Sequence, residues 1–167
     1  MIEIRLDVDS VAALADAWRR APDVVQDELR RYITTVTAHL QGEVQERTPT
    51  YLGTLRKSII GDVRALPGIG VEGVIGTPLA YAVPVELGSK PHMPPVQPLV
   101  EWAKAKLGVR GKEAERVGFA VARKISRTGT AGAFMFRDTF EANEARVVRG
   151  FDVVVRRIAD RLAGGAA

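Results

Sequence analysis

The chain opens on strict alternation: Ile2, Ile4, Leu6 and Val8 fall on one side, and Glu3, Arg5 and Asp7 on the other. That period predicts a strand with one wet face. Asp9 or Ser10 can then cap a short helix through Trp18. At Ala21-Pro22-Asp23 a second helix begins, with proline in the first turn, where its missing N–H costs nothing. From there Val25, Leu29, Ile33, Val36, Leu40 and Val44 recur at spacings of three and four, and Thr48-Pro49 closes the run. The pattern predicts an apolar stripe along a helix of about six turns.

The period changes after Thr50-Tyr51-Leu52-Gly53. The segments around Leu55 to Val63 and Val71 to Ile75 flank Pro67-Gly68-Ile69-Gly70 and predict a hairpin, with Gly61 and Gly73 as candidate bulges. Residues 79–87 read as a short helix or an irregular turn, kept short by Pro84. Pro91, Pro94, Pro95 and Pro98 make 88–98 an extended, stiffened connection. Helices resume over Leu99 to Leu107 and Glu113 to Ser126. Within the latter, Val117, Val121 and Ile125 share the inner side, with Phe119 and Ala122 nearby. Arg127 to Ala133 is small and polar, the composition of a mobile loop. A closing helix from Arg137 to Leu162 places Phe140, Val147, Phe151, Val154, Ile158 and Leu162 on one side, before a frayed Gly/Ala tail at 163–167. The fold class these elements predict is α+β. Three or more strands form a small antiparallel sheet packed against two long helices, with an inserted helix pair over about 97–128, in a single domain of residues 1–167.

Charge alters this picture at one place. Between Trp102 and Thr128 stand eight basic residues and two acids, an excess greater than the net charge of +4 of the whole chain. The positive field is therefore concentrated on one segment, with Arg116, Arg123, Lys124 and Arg127 turned outward from the helix that carries them. A solvated face and a surface for phosphate or an acidic partner are both open readings. No aromatic interleaving is visible that would favour base stacking.

Candidate chemistry is sparse. The chain has no cysteine, which excludes disulfides, thiolate nucleophiles and sulfur-ligated zinc. His39 lies beside the apolar stripe of the long helix and reads as a boundary residue, and His92 sits between prolines with no acid at ligand spacing. Gly68-Ile69-Gly70-Val71-Glu72-Gly73 imitates a dinucleotide fingerprint, but a strand follows it where a helix is needed. No nucleophile–base pair or separated carboxylate pair stands out, so neither an enzyme nor a cofactor is expected. No basic leader, secretion signal or long apolar run is expected either.

Three segments in the middle of the chain carry a likeness to known proteins. Thr48-Pro49-Thr50-Tyr51-Leu52-Gly53-Thr54-Leu55-Arg56-Lys57-Ser58-Ile59 resembles the P-x-x-x-G-x-L-(R/K)-x-S-I segment of the tail-completion and neck family of long-tailed bacteriophages. Ala80-Tyr81-Ala82-Val83-Pro84-Val85-Glu86-Leu87-Gly88-Ser89 is similar to that family's Y-A-x-x-V-E-x-G-T. Pro91-His92-Met93-Pro94-Pro95 is similar to its M-P-P turn. Gly129 to Phe136 resembles the family's G-x-x-x-x-F return into the closing helix. Order carries more weight than any single piece.

The resemblance implies a virion protein of the phage neck, a head-to-tail connector that forms a homo-oligomeric, hexameric ring with DNA passing through it. Its partners would be copies of itself, the adjoining head-completion or connector proteins, and the tail tube or tail terminator. Gly53, Leu55, Ser58, Tyr81, Glu86, Gly88 and Pro94 would be its motif residues, each equally suited to a turn or core position or to a contact between subunits. Glu86 in particular could accept hydrogen bonds from a neighbouring subunit. The alternative is a nucleic-acid-binding module using the basic 102–128 segment, through Arg116, Arg123, Lys124 and Arg127.

Overall fold

In a computed structural model of the chain, the described residues are 21–50, 53–68 and 70–164. The strand expected at 2–8, the helix expected to end at Trp18, and residues 165–167 of the tail lie outside them. The elements are α1 (Pro22–Arg47), α2 (Thr54–Ser58), β1 (Ile60–Ala65), β2 (Val71–Gly76), α3 (Ala82–Leu87), β3 (Gly88–Ser89), α4 (Val96–Leu107), α5 (Gly111–Thr128), β4 (Thr130–Ala131) and α6 (Met135–Gly164). The fold is α+β, with long helices and a small two-stranded antiparallel sheet, β1–β2. Among the described residues that sheet has two strands, and the further strand expected at 2–8 lies outside them. A second two-stranded ladder pairs β3 with β4. No helix of the described residues is long and apolar enough to cross a membrane.

The residues group into two compact units, one drawn from 21–40, 61–75 and 142–164, the other from 41–60 and 76–141. In the first, Val25 and Leu29 of α1 pack on Val154 and Ile158 of α6, with Tyr32, Val71 and Leu162 around them. The spacing of these residues brings one face of each helix inward, and burying that apolar area drives the pairing. Gly73 of β2 faces Ile33 and Thr37 of α1, so closely that a side chain there would collide with both. Its glycine thus serves a close approach of strand to helix.

The second unit is built around the end of α1, where Val44 and Thr48 are buried with Leu55, Ile59 and Met135. Thr48 ends the helix by donating its hydroxyl to the Val44 carbonyl at 2.6 Å. Gln45 reaches the Ile59 carbonyl at 2.9 Å. Here the β-compatible run expected from Leu55 begins as a helical turn, because Gly53 at φ 74 reverses the chain and Ser58 donates back to the Leu55 carbonyl at 2.8 Å. Leu55 and Ile59, four apart, therefore both turn inward. The helix α4 starts at Val96 and takes Pro98 into its first turn, so the extended connection is shorter than 88–98.

Three further expectations are corrected. The segment 127–133 is not a mobile loop, since Thr130 pairs with Ser89 and Ala131 with Gly88. On α6 the inner face at the helix start is Met135, Thr139 and Asn143, while Phe140 and Phe151 are exposed. The polar pair is affordable inside because Thr139 donates to the Met135 carbonyl at 2.7 Å and Asn143 meets His39 at 3.1 Å. The helix also continues through Gly164, past the point where fraying was expected.

Candidate functional site

All seven motif residues fall in the second unit. Gly53, Leu55 and Ser58 shape the turn into β1, and the Ser58 hydroxyl lies 2.7 Å from that of Thr77. Thr77 in turn accepts the Leu79 N–H at 3.2 Å, which sets the start of the Ala80–Gly88 segment. Pro94 precedes α4 as half-buried, extended chain.

Glu86 is the most connected of them. Its two carboxylate oxygens accept the backbone N–H groups of Phe136 at 3.1 Å and Arg137 at 3.0 Å. These are donors of the first turn of α6, which has no intrahelical acceptor for them, and the negative charge suits the positive end of the helix dipole. The Glu86 carbonyl also accepts the Phe134 N–H at 3.1 Å, and the Val85 carbonyl accepts that of Ala133 at 2.8 Å. Glu86 thus takes its hydrogen bonds from within the chain, where a neighbouring subunit was one expected source.

Gly88 explains itself on the same surface. It adopts φ 82, and a Cβ there would strike the Thr130 carbonyl oxygen. On Gly129, at φ 69, a Cβ would come closer still to the Ser89 carbonyl oxygen, and on Gly132 it would meet that of Glu86. Three glycines therefore let residues 86–89 and 129–132 lie against each other with backbone in contact with backbone. Phe134 closes the junction at φ 48, with the Arg137 guanidinium 3.7 Å from its ring centre.

What this framework presents outward is apolar. Tyr81, Val83 and Leu87 on and beside α3 are 47%, 61% and 65% exposed. Val83 and Leu87 also line an open depression of about 340 Å³, together with Thr77, Pro78, Leu79, Glu86 and Phe136 among others.

The basic residues lie on α5. Its buried side is Ala114, Gly118 and Ala122, and Gly118 lies against Val100 of α4. Arg116, Arg123, Lys124 and Arg127 are exposed, and none of them takes part in an ion pair among the described residues. Phe119 is 54% exposed, which corrects its expected place near the inner side. It stands one turn after Arg116 and one before Arg123, so cations and an aromatic ring do interleave here. Lys112, Glu115, Arg116, Phe119, Ala120 and Arg123 line a shallow depression of about 530 Å³.

Signals for Phe119 existed in the spacing of the small residues Ala114, Gly118 and Ala122, four apart, which mark a helix side in close contact with another helix. Nothing local marked Glu86 as the anchor of a helix fifty residues on. No family model matches the chain, and it matches no curated protein and no solved structure.

Proposed function

We propose that this chain is a structural subunit of a tailed-phage neck, a head-to-tail connector or tail-completion protein that acts by assembly without chemical turnover. Copies of it form a hexameric ring between the head connector and the tail, and DNA passes through the ring. The observation that carries this reading is that two of the motif segments, 80–89 and 129–136, are locked together and leave a row of large apolar side chains in water. Glu86 and the glycines at 88, 129 and 132 fix α3 against α6, and the fixed helix exposes Tyr81, Val83 and Leu87. A rigid scaffold that holds several large apolar side chains in water is the mark of a docking surface. The order of the motif segments in the sequence gives the class of assembly.

The test is to find the chain in purified particles by mass spectrometry and to locate it by imaging of labelled particles. The neck reading requires a stoichiometric copy number at the junction of head and tail. Particles that lack the chain, or carry it elsewhere, rule the reading out.

A further inference from the structure

Two helices of this chain carry exposed stripes that are opposite in charge and alike in shape. On α5, Arg116 and Arg123 stand seven residues apart with Phe119 between them. On α6, Glu144 and Asp152 stand eight residues apart with Val148 and Phe151 between them. At the rise of a helix these intervals are about 10.5 Å and about 12 Å. All four charged residues are exposed, and none takes part in an ion pair among the described residues. The apolar residues enclosed by the charges are also in water: Phe119 is 54% exposed, Val148 57% and Phe151 42%.

We infer that the α5 stripe of one copy docks on the α6 stripe of the next, with Phe119 set between Val148 and Phe151 and the two arginines facing Glu144 and Asp152. The aromatic and aliphatic side chains supply the apolar centre of the contact and the charges its rim, the arrangement found in specific protein interfaces. Lys112 and Arg127 extend the basic stripe by about one turn at either end, and Phe140 and Glu141 extend the opposing one. The two surfaces differ, so the contact is head-to-tail. Repeated from copy to copy, such a contact closes into a ring or runs on as a filament. It deepens the ring reading above by naming its faces, and it leaves the question of particle incorporation separate.

An acidic partner surface within the same chain favours a second copy over nucleic acid as the occupant of α5. A nucleic acid would leave Glu144, Val148, Phe151 and Asp152 without a role.

Charge reversal tests this on the full chain by sedimentation and light scattering over a wide concentration range. The wild-type protein self-associates, and association weakens at least tenfold as salt rises from about 0.1 M to about 1 M and the screening length falls from about 10 Å to about 3 Å. Arg116→Glu with Arg123→Glu, and separately Glu144→Arg with Asp152→Arg, each reduce self-association at least tenfold while the circular dichroism spectrum is kept. An equimolar mixture of the two variants restores it, because every contact in an alternating assembly again joins opposite charges. Wild-type protein that stays monomeric throughout, reversals without effect, or a mixture that fails to recover overturns the inference. So does retention of a DNA or RNA oligonucleotide that is lost on reversing α5 and indifferent to reversing α6. None of these results touches the neck reading, which stands or falls on the particle.

Discussion

Gly118 of α5 lies so close to Val100 of α4 that a Cβ on it would come within 2.7 Å of the Val100 Cγ2 and 2.9 Å of its backbone nitrogen. The side-chain atom can rotate away, but the nitrogen can only move with its helix. Gly118→Ala gains about 1 kcal/mol of helix propensity, and overpacking costs about 1–3 kcal/mol, so the two effects oppose. A net loss of about 1 kcal/mol is expected because backbone must shift. Gly118→Leu is expected to separate the pair, read as loss of cooperativity in urea unfolding followed by circular dichroism.

Glu86 ties α3 to the start of α6 through the N–H groups of Phe136 and Arg137. Glu86→Ala leaves both donors without their acceptor and is expected to lower stability by about 1–2 kcal/mol, the range of a lost helix cap. Glu86→Gln keeps one oxygen but gives up the charge at the helix dipole, so a smaller loss is expected. Hydrogen exchange separates local from global effects. In Glu86→Ala the amides of Phe136 and Arg137 are expected to speed up by more than those in the middle of α1, which speed up only by the loss of overall stability.

How much of this was legible in the sequence depended on whether hydrophobicity or contact geometry decided the structure. α1 was legible because Val25, Leu29, Leu40 and Val44 are large, apolar and regularly spaced, and all four are buried. Its end was legible from Thr48-Pro49. On α5 the buried side is Ala114, Gly118 and Ala122, chosen for size, so hydropathy assigned Phe119 to the wrong side. On α6 the inner Thr139 and Asn143 look polar in sequence, and only the Met135 carbonyl and His39 show why they are tolerated inside. The pairing of Gly88–Ser89 with Thr130–Ala131 is two residues long, too short for any period, and it turned a segment with loop composition into an ordered strand. The motif residues were identifiable by position, but their partners were distant in the chain and could not be read locally.

Glu28 gives an asymmetric prediction. Its side chain is only 5% exposed, while Arg157 at 3.5 Å and Arg161 at 2.6 Å are 59% and 49% exposed. Removing the carboxylate leaves two guanidinium groups already half in water, and Glu28→Met, similar in volume, is expected to be within about 1 kcal/mol of wild type. Removing both arginines as alanines strands a buried carboxylate. That double variant is expected to lose about 2 kcal/mol, below the range for a fully buried pair because water reaches both cations. Urea midpoints of the two proteins at neutral pH rank them, and the opposite order would mean that the Glu28 carboxylate stabilises the fold by more than its burial costs.

Tyr32 on α1 donates its hydroxyl to the Val147 carbonyl of α6, and its ring lies 6.5 Å from that of Phe151. A Cβ on Gly150 would come within 2.5 Å of the Tyr32 oxygen, so the absence of a side chain there gives the phenol its place. Burial disfavours the phenolate and raises the Tyr32 pKa above its ordinary value near 10, while the Phe151 backbone and Arg146 pull less strongly the other way. A folded-state pKa above that of the unfolded chain means that the unfolded state gives up its proton first. The stabilisation is therefore complete below pH 10 and lost as the pH rises through the folded value. Tyr32→Phe removes both the hydrogen bond and this dependence. Urea unfolding of wild-type protein is expected to show stability falling above pH 10, with a shallower fall in Tyr32→Phe, and the gap between the two narrows as the pH increases. Parallel curves would place the alkaline loss on other groups and leave Tyr32 with its hydrogen bond alone.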